Sequence, residues 1–320
     1  MNHDDIFLRT SGAQIVTRSG LPVVLKGTAL GGWMNMENYS TGYAGTETLH
    51  RAALHAALGG DLYARFFDRW LDVFFTEQDA AFLASLGLNC LRLPVNYRHF
   101  EDDMAPFELK ENGFRVLDRA IARAASRDLY TIIDLHALPG FQNQHWHCDN
   151  PTHWAFFWDH KHFQDRVVNL WEVIAHRYRD NPWVAGYNLM NEPSDATGQR
   201  IRPYYERLRD AVRAIDADRI LFVEGNMFSS DFSIFGEVWP NTVYSFHYYP
   251  RSVWVDGGPY PGVTGGQFID RSVVERETLR RTQFMRENGA PIWLGEFGAV
   301  FAGAEDVVAT RYMVLEDQFE

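Results

Sequence analysis

Short apolar runs recur along this chain with longer amphipathic stretches between them, and that alternation limits the fold more than any other feature. The runs fall at Val24–Leu30, Asn89–Val95, Tyr130–His136, Trp183–Asn191, Ile220–Asn226, Thr242–Tyr249 and Pro291–Phe297. Each has the length and the β-branched or aromatic content of a strand. Helical patterns lie between them at Gly113–Arg127, Lys161–Arg179, Tyr204–Ile215 and Val273–Glu287. An earlier helix is predicted through Asp79–Leu86, opened by Thr76 and ended at Gly87. Strand–helix alternation implies a parallel sheet with helices packed outside it. Seven repeats without a Rossmann glycine fingerprint favour the α/β class as a (β/α)8 TIM barrel over a doubly wound sheet. Ahead of the barrel, Ala13–Thr17 and Leu21–Leu25 flank Arg18-Ser19-Gly20 and predict a small N-terminal hairpin.

No run is left to serve as an eighth strand. The sequence stops at Phe319-Glu320 inside a helical pattern, so strands one and seven would each carry an unpaired edge. No Pro/Gly/Ser linker divides the chain. The expectation is therefore one catalytic barrel domain over residues 1–320, incomplete at its C-terminus.

Charge narrows the partners. A formal net charge of -12 leaves no basic stripe to neutralise phosphates, which argues against nucleic acid. Cys90 and Cys148 are the two cysteines; Cys90 lies in an apolar run, and neither belongs to a disulfide framework or zinc knuckle. Residues Met1–Thr10 have no signal-peptide core and no stretch approaches membrane-span length, so the chain as written is expected in the cytoplasm. A protein given without its leader would look the same.

In a (β/α)8 barrel the reacting groups stand at the carboxyl ends of the strands. Here those ends carry Arg92 and Asn96, His136, Asn191 and Glu192, Glu224 and Asn226, His247 and Tyr249, and Glu296. Polar groups on six strands, all aimed at one face, are more than solvation requires. Retaining glycoside hydrolysis needs two carboxylates roughly 5 Å apart. Glu192 and Glu296 end the fourth and seventh strands, which face one another across a barrel mouth, so the pair is the candidate acid/base and nucleophile. A helix-capping role is the bland alternative for either one alone. Glu224 is a rival carboxylate, more suited to support. The nucleophile needs a cation and donors, for which Arg92 and Tyr249 stand ready, while burial beside a negative partner is expected to keep the acid protonated. Asn191 suits the sugar 2-hydroxyl, and His136 and His247 suit hydroxyls or carboxylate orientation. Glycines at 295 and 298 would let backbone approach ligand closely.

The long stretch Phe141–Asn150, followed by His153-Trp154, reads as an aromatic sugar-binding loop that includes Trp146. His145, His147 and Cys148 are too crowded for a zinc site, so neither metal nor cofactor is expected.

These residues resemble glycoside hydrolase family 5, the cellulase family, over Gly27 to Ala299. Asn191-Glu192-Pro193 and Gly295-Glu296-Phe297-Gly298 carry the likeness most specifically. The resemblance implies a site built from Arg92, His136, Asn191, Glu192, His247, Tyr249 and Glu296. It also implies a tryptophan on an eighth strand, for which this chain has no counterpart. Leu30–Glu37, which includes Trp33, and Asp134–Asn143 look like the exo-β-1,3-glucanase branch. In that branch the match to Glu37 implies a contact with a terminal glucose. The implied activity is retaining hydrolysis of β-glucans or gluco-oligosaccharides. A glycolipid β-glucosidase is the alternative, left open by an apolar Phe156-Phe157-Trp158 lid, and a non-catalytic sugar-binding barrel is the alternative of another class. A Schiff-base aldolase fares worse, since no lysine ends a strand.

Overall fold

Seven parallel strands form one sheet, each paired with the next in chain order. They are β3 (Gly27–Ala29), β4 (Cys90–Asn96), β5 (Tyr130–Ala137), β6 (Val184–Asn188), β7 (Ile220–Glu224), β8 (Thr242–Tyr248) and β11 (Ile292–Phe297). This computed structural model describes residues 5–250, 258–298 and 305–320; Ala299, the last residue of the resemblance, lies outside them. Each predicted run coincides with one of the seven strands, β4 and β5 ending one residue beyond theirs. The curled sheet is a barrel of the expected kind, with β3 and β11 unpaired to each other among the described residues. β11 shows the consequence. β7 and β8 are buried along their length, whereas β11 is half-buried and its Ile292 is 41% exposed.

Strand alternation sorts the residues into two compartments. On β4, β5, β7 and β8, Leu91, Leu93, Ile133, Leu135, Leu221, Val223, Tyr244 and Phe246 face the helices and join the main core. The intervening Cys90, Tyr130, Ile132, Ile220, Phe222 and Val243 fill the lower barrel interior together with Leu8, Ile15 and Leu25. The N-terminal segment therefore plugs the barrel floor with apolar side chains. One pleat higher, the same inward rows present Arg92, Asp134, Glu224, Ser245 and His247, all buried. Period-two alternation thus sets a polar layer on an apolar floor.

The hairpin sits elsewhere than expected. β1 (Leu8–Ser11) pairs with β2 (Gln14–Thr17) about Gly12, whose φ of 56° suits the turn. Leu21–Leu25 contributes a single bridge between Val16 and Pro22 and a Val23 N–H bond to the Ile15 carbonyl. On the other side of that bridge the Thr17 N–H bonds the Leu21 carbonyl. A second hairpin, β9 (Gly262–Thr264) with β10 (Gln267–Ile269), follows β8.

Helices Glu77–Ser85, Glu111–Ala125, Lys161–Tyr178 and Ile201–Arg213 stand near their predicted places. Thr76 opens the first with a capping box to Asp79. The helix expected over Val273–Glu287 is two, Arg271–Arg281 and Gln283–Asn288. The break falls at Thr282, whose hydroxyl bonds back to the Thr278 carbonyl. Helices Glu47–Leu58 and Gly60–Val73 were not foreseen, and they meet at Gly59 with φ 73°. No helix among the described residues is long and apolar enough to cross a membrane.

Candidate active site

Glu296 reaches the barrel mouth through a bulge. Opposite β8, Leu294 pairs with Phe246 and Glu296 with His247, so Gly295 is the extra residue. The bulge re-aims the side chain that follows it, placing Glu296 beside His247. A Cβ on Gly295 would lie 2.3 Å from Ser245 Oγ and 3.0 Å from His247 Nε2. The glycine is thus needed against the neighbouring strand, whereas the expectation was a close approach to ligand.

Glu192 is held differently. β6 ends at Asn188, four residues earlier than the position of Glu192. The intervening backbone stays tied to its neighbours, with Leu189 N–H bonded to the Phe222 carbonyl and Asn191 N–H to that of Leu135. Glu192 itself takes φ 44°, an uncommon left-handed conformation for a non-glycine residue. Glu224 secures it by accepting the Glu192 N–H at 2.7 Å, and Asn143 donates to the Glu192 carbonyl at 2.9 Å. Glu224 therefore supports the site from beneath.

The two carboxylates meet across the mouth. Oxygens of Glu192 and Glu296 and a ring nitrogen of His247 all lie within 4.8 Å of one another. Arg92 Nη1 donates to Glu296 Oε1 at 2.5 Å, and the Tyr249 hydroxyl donates to Oε2 at 3.0 Å. His247 Nδ1 stands 2.7 Å from Glu192 Oε1 and 3.5 Å from Glu296 Oε2. The same Arg92 bonds Asn191 Oδ1 at 2.6 Å and lies 3.0 Å from Asp134 and 3.4 Å from Glu224. His136 bonds Asp134 at 2.8 Å, approaches Asn191 Nδ2 at 3.3 Å, and stands 3.5 Å from Glu37. One continuous network thus joins Glu37, Arg92, His136, Asn191, Glu192, His247, Tyr249 and Glu296.

Electrostatics separates the pair. Burial pushes Glu296 up, but His247, Arg92 and His136 outweigh it and hold the carboxylate well below its usual range. Glu192 was expected to be raised, and the structure reverses that. Burial does raise it, yet the His247 hydrogen bond and the His147 and His247 charges bring it below the ordinary value. In His247, burial favours the neutral ring, and Glu224, Glu296 and Glu192 overcome this to push its pKa up to about 10. Glu192, His247 and Glu296 have the donor types of a cation site. Their negative charge is already matched by Arg92 and His247, and the Nδ1–H that bridges the carboxylates would have to leave for a metal to bind there.

Two expected sugar contacts, Trp33 and Asn96, are placed otherwise. Trp33 is a core residue, 1% exposed, with its ring N–H on the Leu71 carbonyl. Asn96 is fully buried and divides its amide between Glu47 and Asp149. Trp146 stands at the rim, edge-on to exposed Tyr39 at 6.3 Å and to His147, the partner of Glu192, at 5.9 Å. The expected lid is not one either, since Phe157 and Trp158 pack in the core. In the long loop, Cys148 is buried with its thiol on Asn143 and the His145 carbonyl, as befits a structural cysteine.

Two participants were missed. Asp134 orients His136, and its position two residues earlier on one strand already put both side chains on one face. His147 Nε2 lies 3.2 Å from Glu192 Oε2; only the loop's path brings it there.

Residues 37–315 match the model of the cellulase family, glycosyl hydrolase family 5. The chain belongs to that family. It is accordingly a glycoside hydrolase of β-glycosidic bonds. It is 48% identical to a β-xylosidase of Phanerodontia chrysosporium over 98% of this chain and 67% of that protein. A probable glucan 1,3-β-glucosidase A of Aspergillus fumigatus is 28% identical over 65% of this chain and 51% of its own length. A crystal structure of an endogalactoceramidase, 18% identical, superimposes with a TM-score of 0.66 over 92% of this chain and 68% of that one, a likeness of fold alone.

Proposed function

We propose that this family 5 enzyme releases a terminal β-linked sugar by double displacement, with Glu296 as nucleophile and Glu192 as acid/base. The observation that carries this reading is the carboxylate pair, whose oxygens lie within 4.8 Å of one another, the spacing of roughly 5 Å that a covalent glycosyl-enzyme requires. Arg92 and Tyr249 keep Glu296 ionised and aimed. Asn191, fixed between Arg92 and His136, faces the sugar 2-hydroxyl. Glu37, on the far side of His136, binds the hydroxyls of the terminal residue. The substrate class is a β-glucoside or β-xyloside: the likeness of the Leu30–Glu37 loop supports glucose, and the name of the 48%-identical relative supports xylose. The two sugars share their ring hydroxyls and differ at the C5 hydroxymethyl. No metal or cofactor takes part, and the described barrel acts as one catalytic domain.

The test is trapping with 2,4-dinitrophenyl 2-deoxy-2-fluoro-β-D-glucoside and its xyloside counterpart. A 1:1 adduct on the peptide containing Glu296 is expected, and the faster label names the sugar. Turnover of aryl glycosides with inversion of the anomeric centre, seen by NMR of the first product, would sink the double displacement.

A further inference from the structure

Glu192 is gripped by two imidazoles on its two oxygens. His247 takes Oε1 from β8, and His147 Nε2 takes Oε2 from a short turn in the loop after β5. We propose that His147 is a positioning residue that fixes the plane of the acid/base carboxyl and sets the pH range over which it exchanges its proton.

His147 is built in and not merely adjacent. Its side chain is 11% exposed, its carbonyl receives the Asn35 amide at 3.4 Å, and Asp149 anchors the turn through the Thr48 N–H at 2.7 Å and hydroxyl at 2.8 Å. Its ring packs edge-on to His136 at 6.1 Å, His145 at 5.7 Å and Phe228 at 6.3 Å. Phe228 comes from the loop after β7, where Met227, Phe228 and Ser229 all take positive φ of 53–58°. Three strained residues in a row need support from their surroundings, and here they press a ring against the two histidines.

Glu192 is faced from every side by named groups. They are His147 from the β5 loop, His247 and Tyr249 from β8 and its end, and Glu296 from β11. Glu224 on β7 meets the Glu192 N–H, and Arg281 adds charge from the helix behind. His247 is shared with Glu224 and Glu296, so it serves the whole cluster. His147 has Glu192 as its one carboxylate partner within salt-bridge reach among the described residues. A donor on Oε2 favours the ionised carboxyl. With Oε1 held by His247 at 2.7 Å, the two imidazoles together fix the plane of the carboxyl.

The inference rests on Glu192 being the acid/base, and the experiment separates the two. Glu192→Ala, His147→Ala and His147→Gln are assayed on phenyl and 2,4-dinitrophenyl β-D-glycosides across pH. Glu192→Ala should lose the phenyl substrate far more than the dinitrophenyl one, whose leaving group needs no proton. Equal losses would overturn the assignment of Glu192 itself. With that assignment standing, His147→Ala should move the alkaline limb of kcat/KM upward by about one pH unit. It should also slow the phenyl substrate by roughly tenfold more than the dinitrophenyl one. His147→Gln, a neutral donor without the imidazole's charge, should restore the phenyl rate and bring the limb only part of the way back, and it carries the test if the alanine variant fails to fold. An unmoved limb in both variants, or equal slowing of both substrates, would overturn the role of His147.

Discussion

The two carboxylates of the site are supported in opposite ways. Glu296 stands on a strand, re-aimed by a bulge, and its Oε1 meets a guanidinium that does not titrate in the working range. Glu192 stands past a strand end on a left-handed backbone, and both its oxygens meet imidazoles. A nucleophile must stay ionised throughout, so a fixed cation serves it. An acid/base must give and take a proton, so partners that themselves exchange protons serve it. The two share His247, and what separates them is the permanent charge of Arg92, which Glu296 meets directly and Glu192 does not.

The strongest way to break this contrast is to remove Glu296. Glu296→Gly should lower kcat on order of 10⁴-fold or more, and azide should restore turnover as a glycosyl azide of inverted configuration. Normal hydrolysis by this variant would end the assignment. Next in size is the fixed cation. Arg92 is 2% exposed and faces Asp134, Glu224 and Glu296, so Arg92→Met takes from three carboxylates the one guanidinium they share and leaves them only His136 and His247. A loss of about 3–5 kcal/mol in urea unfolding is expected. The acid limb of kcat/KM should also rise, because Glu296 loses a group that holds its pKa down. A smaller effect is expected at Tyr249, whose hydroxyl bonds Glu296 Oε2. Tyr249→Phe should cost roughly 1.5–3 kcal/mol in transition-state stabilisation, read from kcat/KM, as for a hydrogen bond to a charged group. An unchanged kcat/KM would leave Glu296 positioned by Arg92 alone.

The contrast was half legible in the sequence. Strands with period-two alternation declare themselves, so Arg92 and His247 could be placed at strand ends and on the inner face. Trp33 could not, because a tryptophan in a glycine-rich segment looks equally suited to a sugar and to a core. Its burial depends on the helix Gly60–Val73, which supplies the Leu71 carbonyl and which periodicity did not reveal. Asn96 was misjudged for the same reason, since its partners Glu47 and Asp149 come from the unforeseen helix Glu47–Leu58 and from a distant loop. The pKa of Glu192 was the hardest. Burial and a negative neighbour were legible, and both raise it; the imidazole from His147 arrives on a loop whose path no local rule gives.

The pH dependence of stability sharpens the comparison, with a smaller expected effect. His247 titrates at about 10 in the fold against an ordinary 6.5. A raised pKa means that the proton stabilises the folded state: the contribution is whole below pH 6.5 and is lost as pH climbs toward 10. Glu296 has the opposite sign, since its depressed pKa contributes stability above its ordinary 4.5 that is lost as pH falls. Together they place maximum stability between those ordinary values, on the acid side of neutrality. Melting temperatures measured from pH 2 to 10 should therefore fall on both sides of that window. His247→Gln should flatten the alkaline fall and also shrink the acid one, because His247 is the foremost group holding Glu296 down, while Arg92, which still faces Glu296, keeps part of it. If the alkaline fall survived the substitution in full, His247 would not be the titrating partner, and the division into permanent and exchangeable charge would have to be drawn elsewhere in the cluster.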